Sequence, residues 1–207
     1  MAVEVVLNLQ ELVELETVTQ HHGSGLIKAG AVFNRDQNRP QRVVELVRRH
    51  FEGIAGVSFR LGTTSAGGPY LVAMFARGAN SELLARARVP GGPWTPEPGH
   101  KDATAHIYEG AIGNEIVEVL GGRGDLDEIF AAIIVHEIGH NFGLEHEHSP
   151  TGVMYAYEDG TGEHRRAWLQ NASAGRLELR SWQARKIELS VAAGASSPGT
   201  REATPAR

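Results

Sequence analysis

Cysteine is absent from the 207 residues. That excludes a disulfide scaffold, a Cys-ligated zinc finger, an iron–sulfur cluster and a thiol nucleophile. Long apolar runs are missing too: no stretch approaches the roughly 18 residues that a membrane span needs. There is no excess of basic charge. Lysine and arginine number 20 against 25 aspartates and glutamates, a formal net charge of −5, which argues against affinity built on phosphate neutralisation. The opening Met1-Ala2-Val3-Glu4 lacks both a basic n-region and a clean apolar h-region. The expectation is a cytoplasmic chain, with leaderless secretion or a removed leader as the alternatives. With 41% hydrophobic and 22% charged residues at 22.3 kDa, the balance is that of a globular chain able to bury its own core.

Histidine is plentiful instead. There are ten, against three tryptophans, and five of them fall between His136 and His164. Histidine is the commonest metal ligand, so local enrichment directs attention there.

Along the chain, Val3 to Leu9 alternates as a half-buried strand would, except that Val5-Val6 breaks the pattern. Glu11 to Thr19 is compatible with helix, and residues 20–39 read as a polar, Gly-rich loop. Pro40 suits the first turn of a helix carrying Val43, Val44, Val47 and Phe51. Val57–Leu61 and Tyr70–Phe75 read as strands, residues 89–100 as a long Pro/Gly loop, and Ala103–Tyr108 and Glu115–Leu120 as two further short strands. Asp125 and Glu128 form a capping box before the most apolar stretch, Ile129–Ile138, which Gly143 terminates. A polar loop, Glu145–Ser173, precedes a last amphipathic helix from Ser181 to about Ala193. Residues 194–207 read as a disordered tail. Strands and helices mix without a βαβ rhythm, so the class is α+β.

The chemistry concentrates in His136-Glu137-Ile138-Gly139-His140-Asn141-Phe142-Gly143-Leu144-Glu145-His146. On a helix His136 and His140 project from one face, so two imidazoles can grip one cation. Glu137, one position on, is badly placed to ligate but can reach a water held by the metal. Gly143 stops the helix and turns the chain, bringing His146 back as a third nitrogen ligand. Three neutral imidazoles and a water make the open tetrahedral geometry of catalytic zinc, with Glu137 as general base.

This string resembles the extended zinc motif of the metzincin metallopeptidases, most closely the matrixin branch. Their second hallmark, a methionine in a tight turn beneath the metal, is matched by Met154 in Ser149-Pro150-Thr151-Gly152-Val153-Met154-Tyr155, while Asn141 is more like the adamalysin branch. Weaker similarity runs from about residue 40 to 193. The resemblance implies a zinc-dependent endopeptidase acting on extended polypeptides through a zinc-bound water activated by Glu137. It implies one catalytic ion, a polypeptide partner, and no nucleic-acid or membrane partner; it says nothing of oligomeric state. It also implies a twisted, mostly parallel sheet with an antiparallel edge strand and two helices in an upper lobe, and a small irregular lower lobe ending in a helix. That makes one domain over 1–193, with lobes meeting near residue 143. Substrate is expected to lie against an edge strand carrying Ala105, His106 and Ile107. Tyr155 and Tyr157 either line the pocket for the residue after the scissile bond or simply pack the loop.

The departures are informative. His100 and His106 are present, but the acidic partners and further histidine of a matrixin structural site are missing, which argues against a structural zinc or calcium. Ala156 stands where matrixins carry proline and astacins a zinc-reaching tyrosine. Glu147 follows the third histidine in place of serine or aspartate. Glu145 and Glu147 read as wetting the loop rather than as a site for a basic substrate, and His148 and His164 as solvated. Two other readings remain: a non-catalytic zinc-fold module that binds peptides, and a narrow-specificity intracellular regulatory peptidase.

Overall fold

Strand β1 (Val3–Glu14) carries the unbroken pair Val5-Val6 because it lies inside a sheet rather than at its border. Val5, Val6 and Leu7 are all 0% exposed, as expected of a parallel strand covered on both faces, which has no polar side to alternate toward. The broken alternation therefore marks burial. The structure, a computed structural model, describes residues 3–14, 39–62, 70–77, 84–87, 105–107 and 109–196. Of the loop expected over 20–39, residues 20–38 lie outside these while Arg39 opens a helix; the 89–100 loop and the tail beyond Ser196 lie outside them too.

The remaining strands are β2 (Val57–Leu61), β3 (Tyr70–Arg77), β4 (Ala85–Ala87) and β5 (Ala105–Ile107). Among the described residues they form, with β1, one five-stranded sheet in the order β2-β1-β3-β5-β4. All neighbouring pairs are parallel except β4 with β5. The segment from Glu11, read above as compatible with helix, continues β1 to Glu14, past a register shift between Asn8 and Leu12.

Helix α1 (Arg39–His50) buries Val43, Val44 and Val47. It lies beside α3 (Leu126–Asn141), whose start is held by charge. Arg39 pairs with Asp127 at 2.6 Å, Arg42 with Asp125 at 2.6 Å, and Arg49 with Glu128 at 2.8 Å. Asp125 also caps α3, accepting from the backbone N–H groups of Asp127 and Glu128. Such a cap satisfies orphan donors, and acidic groups suit a helix N-terminus. The expected reciprocal half of the box is missing, because the Glu128 carboxylate accepts from Arg49 instead.

Three expectations need correcting. Glu115–Leu120 is not a strand but the second half of helix α2 (Glu109–Leu120). Ile112 and Ile116, one turn apart, are buried, while Val117 is 57% exposed; the side chains follow the helical period. The loop expected over Glu145–Ser173 ends in helix α4 (Gly162–Ser173), capped by Thr161 and anchored by Trp168, Leu169 and Ala172. Its apolar stripe is only one turn wide, and the charged residues around it conceal it. Ala105, His106 and Ile107 do not form an edge strand. Strand β5 sits between β3 and β4, and β4 is the outermost on that side among the described residues.

Helix α5 (Ser181–Ser196) appears where expected and continues three residues into the expected tail, through Ser196. Gln183, Ile187 and Val191 face inward. Among the described residues no helix is long and apolar enough to cross a membrane.

Candidate metal centre

Helix α3 is apolar on nearly every side and buried along most of its length, so its one polar face is conspicuous. That face presents His136 and His140 one turn apart. The helix then stops: Gly143 has φ +82°, a left-handed conformation that glycine adopts without a Cβ penalty. The reversed chain carries His146 back over the helix end. The three Nε2 atoms stand 3.0 Å (His136–His140), 3.2 Å (His136–His146) and 3.0 Å (His140–His146) apart. Nitrogens about 2.0–2.1 Å from a tetrahedral zinc stand roughly 3.3 Å from one another, so the spacing fits.

The tautomers fit as well. His136 Nδ1 lies 2.9 Å from the Val153 carbonyl and His140 Nδ1 lies 2.8 Å from the Leu144 carbonyl. A carbonyl only accepts, so each Nδ1 carries the proton and donates, leaving Nε2 with a lone pair. Three lone pairs aimed at one point repel unless a cation sits there. Burial, with the neighbouring histidines adding to it, pushes His136 down to about 3, and burial also lowers His140. Both imidazoles are therefore neutral and ready to ligate. His146 is exposed, which leaves a solvent-facing side to the site. Among the described residues these three histidines are the one group able to hold a metal, with donor atoms all within 4.8 Å of each other.

Glu137 is only 6% exposed and lines a recess beside the triad. Burial, followed by the nearby Glu158, raises its carboxyl to about 8.

Beneath the triad lies Met154, 0% exposed. A Cβ on Gly139 would stand 2.6 Å from the Met154 sulfur and 3.2 Å from a Leu144 methyl, so this helix position has room only for glycine. The turn bearing Met154 is stitched to the His146 limb: Glu147 N–H donates to Met154 O at 2.8 Å, and Ala156 N–H to Glu147 O at 3.1 Å. The Glu147 side chain turns inward onto Gly152, into the space a Cβ would fill, and pairs with Arg180 at 3.5 Å. Arg180 also donates to Thr151 Oγ1 at 3.0 Å. Glu147 is therefore a clasp rather than a wetting residue, whereas Glu145 is exposed. His148 and His164 are also exposed, the latter with its ring edge toward Tyr155.

Of the two tyrosines, Tyr157 lines the recess and donates to Glu115 Oε1 at 2.7 Å. Burial and that carboxylate raise its hydroxyl well above the usual phenol range. Tyr155 is 3% exposed and joins the core, away from the recess. His100 and the side chain of His106 lie outside what the structure describes, so the reading of a structural metal there is not addressed. Gly139, Gly152 and Glu158 had no role in the sequence reading, since each acts through a neighbour distant in sequence.

Residues 82–172 match the family model described as matrixin, a span that holds the triad, Glu137 and Met154. The segment that carries the centre is similar to the matrixins. Over 99 residues the chain is also 34% identical to matrilysin of Felis catus, covering 42% of this chain and 31% of the relative. The chain thus spans about a third of the length of that curated relative. Matrixins use a catalytic zinc, and His136, His140 and His146 of this chain form a group that could hold a metal ion.

Proposed function

We propose that this chain is a zinc-dependent endopeptidase that hydrolyses peptide bonds of extended polypeptides, with Glu137 as general base. The observation that carries the reading is one cavity lined by ligands and base together: His136, His146 and Glu137 share its wall. The three imidazoles would hold a zinc ion, which when bound would supply a Lewis acid for the scissile carbonyl and acidify an attacking water. Glu137 takes that water's proton and hands it to the leaving amine. The Val153 and Leu144 carbonyls hold two of the imidazoles in register, so the donor set is fixed before substrate arrives.

We further infer that an extended substrate adds beside β4 rather than β5. Leu84 and Ala85, at the start of that strand, line the same recess, and strand addition at a sheet border supplies backbone hydrogen bonds. The cleft then separates an upper lobe, to about residue 143, from a lower lobe over 144–193. A module that merely kept the metal for structure would have no use for a buried carboxylate beside it.

The test is digestion of reduced casein by the zinc-loaded chain and by its Glu137→Ala version, with products identified by mass spectrometry. Cuts that vanish in the variant and in chelator, while zinc content persists, support the assignment. Undiminished cutting by Glu137→Ala would remove Glu137 from the mechanism.

A further inference from the structure

The recess beside the triad has two chemically different parts. Its inner wall is apolar, formed by Leu84, Ala85, Ile133, Tyr157 and Trp168. Ile133 and Trp168 are 4% and 2% exposed, so this wall belongs to the core. Its rim carries Glu158, which is exposed. The recess opens to solvent and its volume is about 40 Å³, room for roughly three water molecules. A long side chain entering it cannot be swallowed end to end.

Among the described residues no lysine or arginine pairs with Glu158, whose attractive neighbour is the exposed His146 of the triad. Arg165, the nearest basic residue along the chain, is turned to Glu115 at 3.6 Å and over the Tyr157 ring at 6.0 Å. Arg180 is engaged by Glu147 and Thr151. Nor does Glu158 belong to the group that grips the metal, whose donor atoms are confined to the three histidines. The next residue, Asp159, adds a second exposed negative charge. A shallow apolar wall ending at an unpaired carboxylate matches a side chain with a methylene stem and a cationic head. Such chains lay the stem on apolar surface and keep the head wet.

We propose that this recess takes a lysine or arginine side chain flanking the scissile bond, with the Glu158 carboxylate as its counter-ion. The assignment rests on the endopeptidase reading and deepens it: the substrate class is polypeptide with a basic residue beside the cut. The stem packs on Trp168, Ile133 and Leu84, and the head stops at the rim. A leucine fills the same wall but leaves Glu158 unpaired.

The experiment uses the zinc-loaded full chain and a set of peptides that differ only in the residues on either side of one bond. The measured quantity is the ratio of kcat/KM for Lys or Arg peptides to that for the Leu peptide. Expected is a ratio above one that falls about fivefold in Glu158→Gln, the scale of a rim ion pair. In Glu158→Lys it inverts in favour of Glu-containing peptides. The ratio stays fixed in Glu145→Gln, an exposed carboxylate outside the recess. Isothermal titration of the same peptides into zinc-loaded Glu137→Gln gives a second readout that needs no turnover, and the same ordering is expected there. If the wild-type chain cuts none of the peptides, the endopeptidase reading fails while the titration still decides the role of Glu158. A Leu preference, or a basic preference indifferent to Glu158→Gln, overturns the assignment.

Discussion

Gly139→Ala pits two effects of known size against each other. Replacing a mid-helix glycine by alanine gains about 1 kcal/mol of helix propensity. The new methyl group, however, would stand 2.6 Å from the Met154 sulfur, 3.1 Å from its terminal methyl and 3.2 Å from a Leu144 methyl. Met154 and Leu144 are 0% and 1% exposed, so neither has open space to retreat into. Overpacking of this kind costs about 1–3 kcal/mol, and methionine's soft, unbranched chain keeps the cost from going higher. The net expectation is destabilisation of up to about 2 kcal/mol, a fall in Tm of up to roughly 8 °C for a chain this size. The disturbance does not stay local. Met154 follows Val153, whose carbonyl fixes His136, and loss of such an outer hydrogen bond weakens metal binding about 10–100-fold. Thermal unfolding of the metal-free chain and competition with a zinc-chelating dye measure the two effects separately. The pair Gly139→Ala/Met154→Ala is the control: it should be no less stable than Met154→Ala alone, because the added methyl group then fills vacated space. A raised Tm in Gly139→Ala with unaltered zinc affinity would refute the packing argument and leave propensity as the only effect.

Removing one imidazole with His140→Ala should abolish stoichiometric zinc, read by metal analysis after dialysis; retained zinc would count against the ligand set. Gly152→Ala places a methyl group where the Glu147 carboxylate lies, unfastening it from Arg180. Zinc affinity should fall, and stability should drop by about 1–3 kcal/mol in chemical denaturation. Burial, with Arg49 nearby, lowers His50 to about 4 in the fold, against about 6.5 when unfolded. The unfolded chain therefore binds the extra proton first, and stability falls as pH drops from 6.5 toward 4, by up to about 3 kcal/mol. The difference in unfolding free energy between wild type and His50→Gln should accordingly change across that window and be flat above pH 7.5; a flat difference throughout would remove His50 as the cause.

How much of this was legible in the sequence depends on distance along the chain. The triad spans eleven residues, and each of its requirements is local: a capped start at Asp125, helical spacing from His136 to His140, a glycine at 143 that turns the chain. Helix α1 and strands β2 and β3 were equally local, each a single run with one period. Helix α2 was misread because Glu115-Ile116-Val117-Glu118-Val119-Leu120, rich in β-branched residues, has the composition of a strand when taken alone. Only the preceding Ile112, buried together with Ile116, shows the helical period. Strand β5 was found, but its neighbours were not, since sheet order is fixed by pairing between segments that share no pattern. The same limit hid the parts of the site made by contact across the chain: Gly139 against Met154, Gly152 against Glu147, Glu158 on a wall shared with Leu84.

The two kinds of residue divide the work of the centre. The motif residues supply donors and a base, and any chain with that spacing would have them. What holds them in place is borrowed from the core. Val153 O is available to His136 because Val153 and Met154 are 0% exposed beneath α3. Leu144 O is available to His140 because Gly143 admits the turn that buries Leu144. The lower lobe, for its part, is fastened by the backbone bonds of Glu147 to Met154 and Ala156 and by its carboxylate on Gly152 and Arg180. A buried methionine, a glycine with no room for a methyl group and an inward-facing glutamate are thus one device, and its rigidity sets how well three imidazoles meet at a point. On that argument stability and metal affinity should move together across substitutions at Gly139, Gly152 and Glu147. Substitutions at Glu158, which makes none of these packing contacts, should change selectivity more than either.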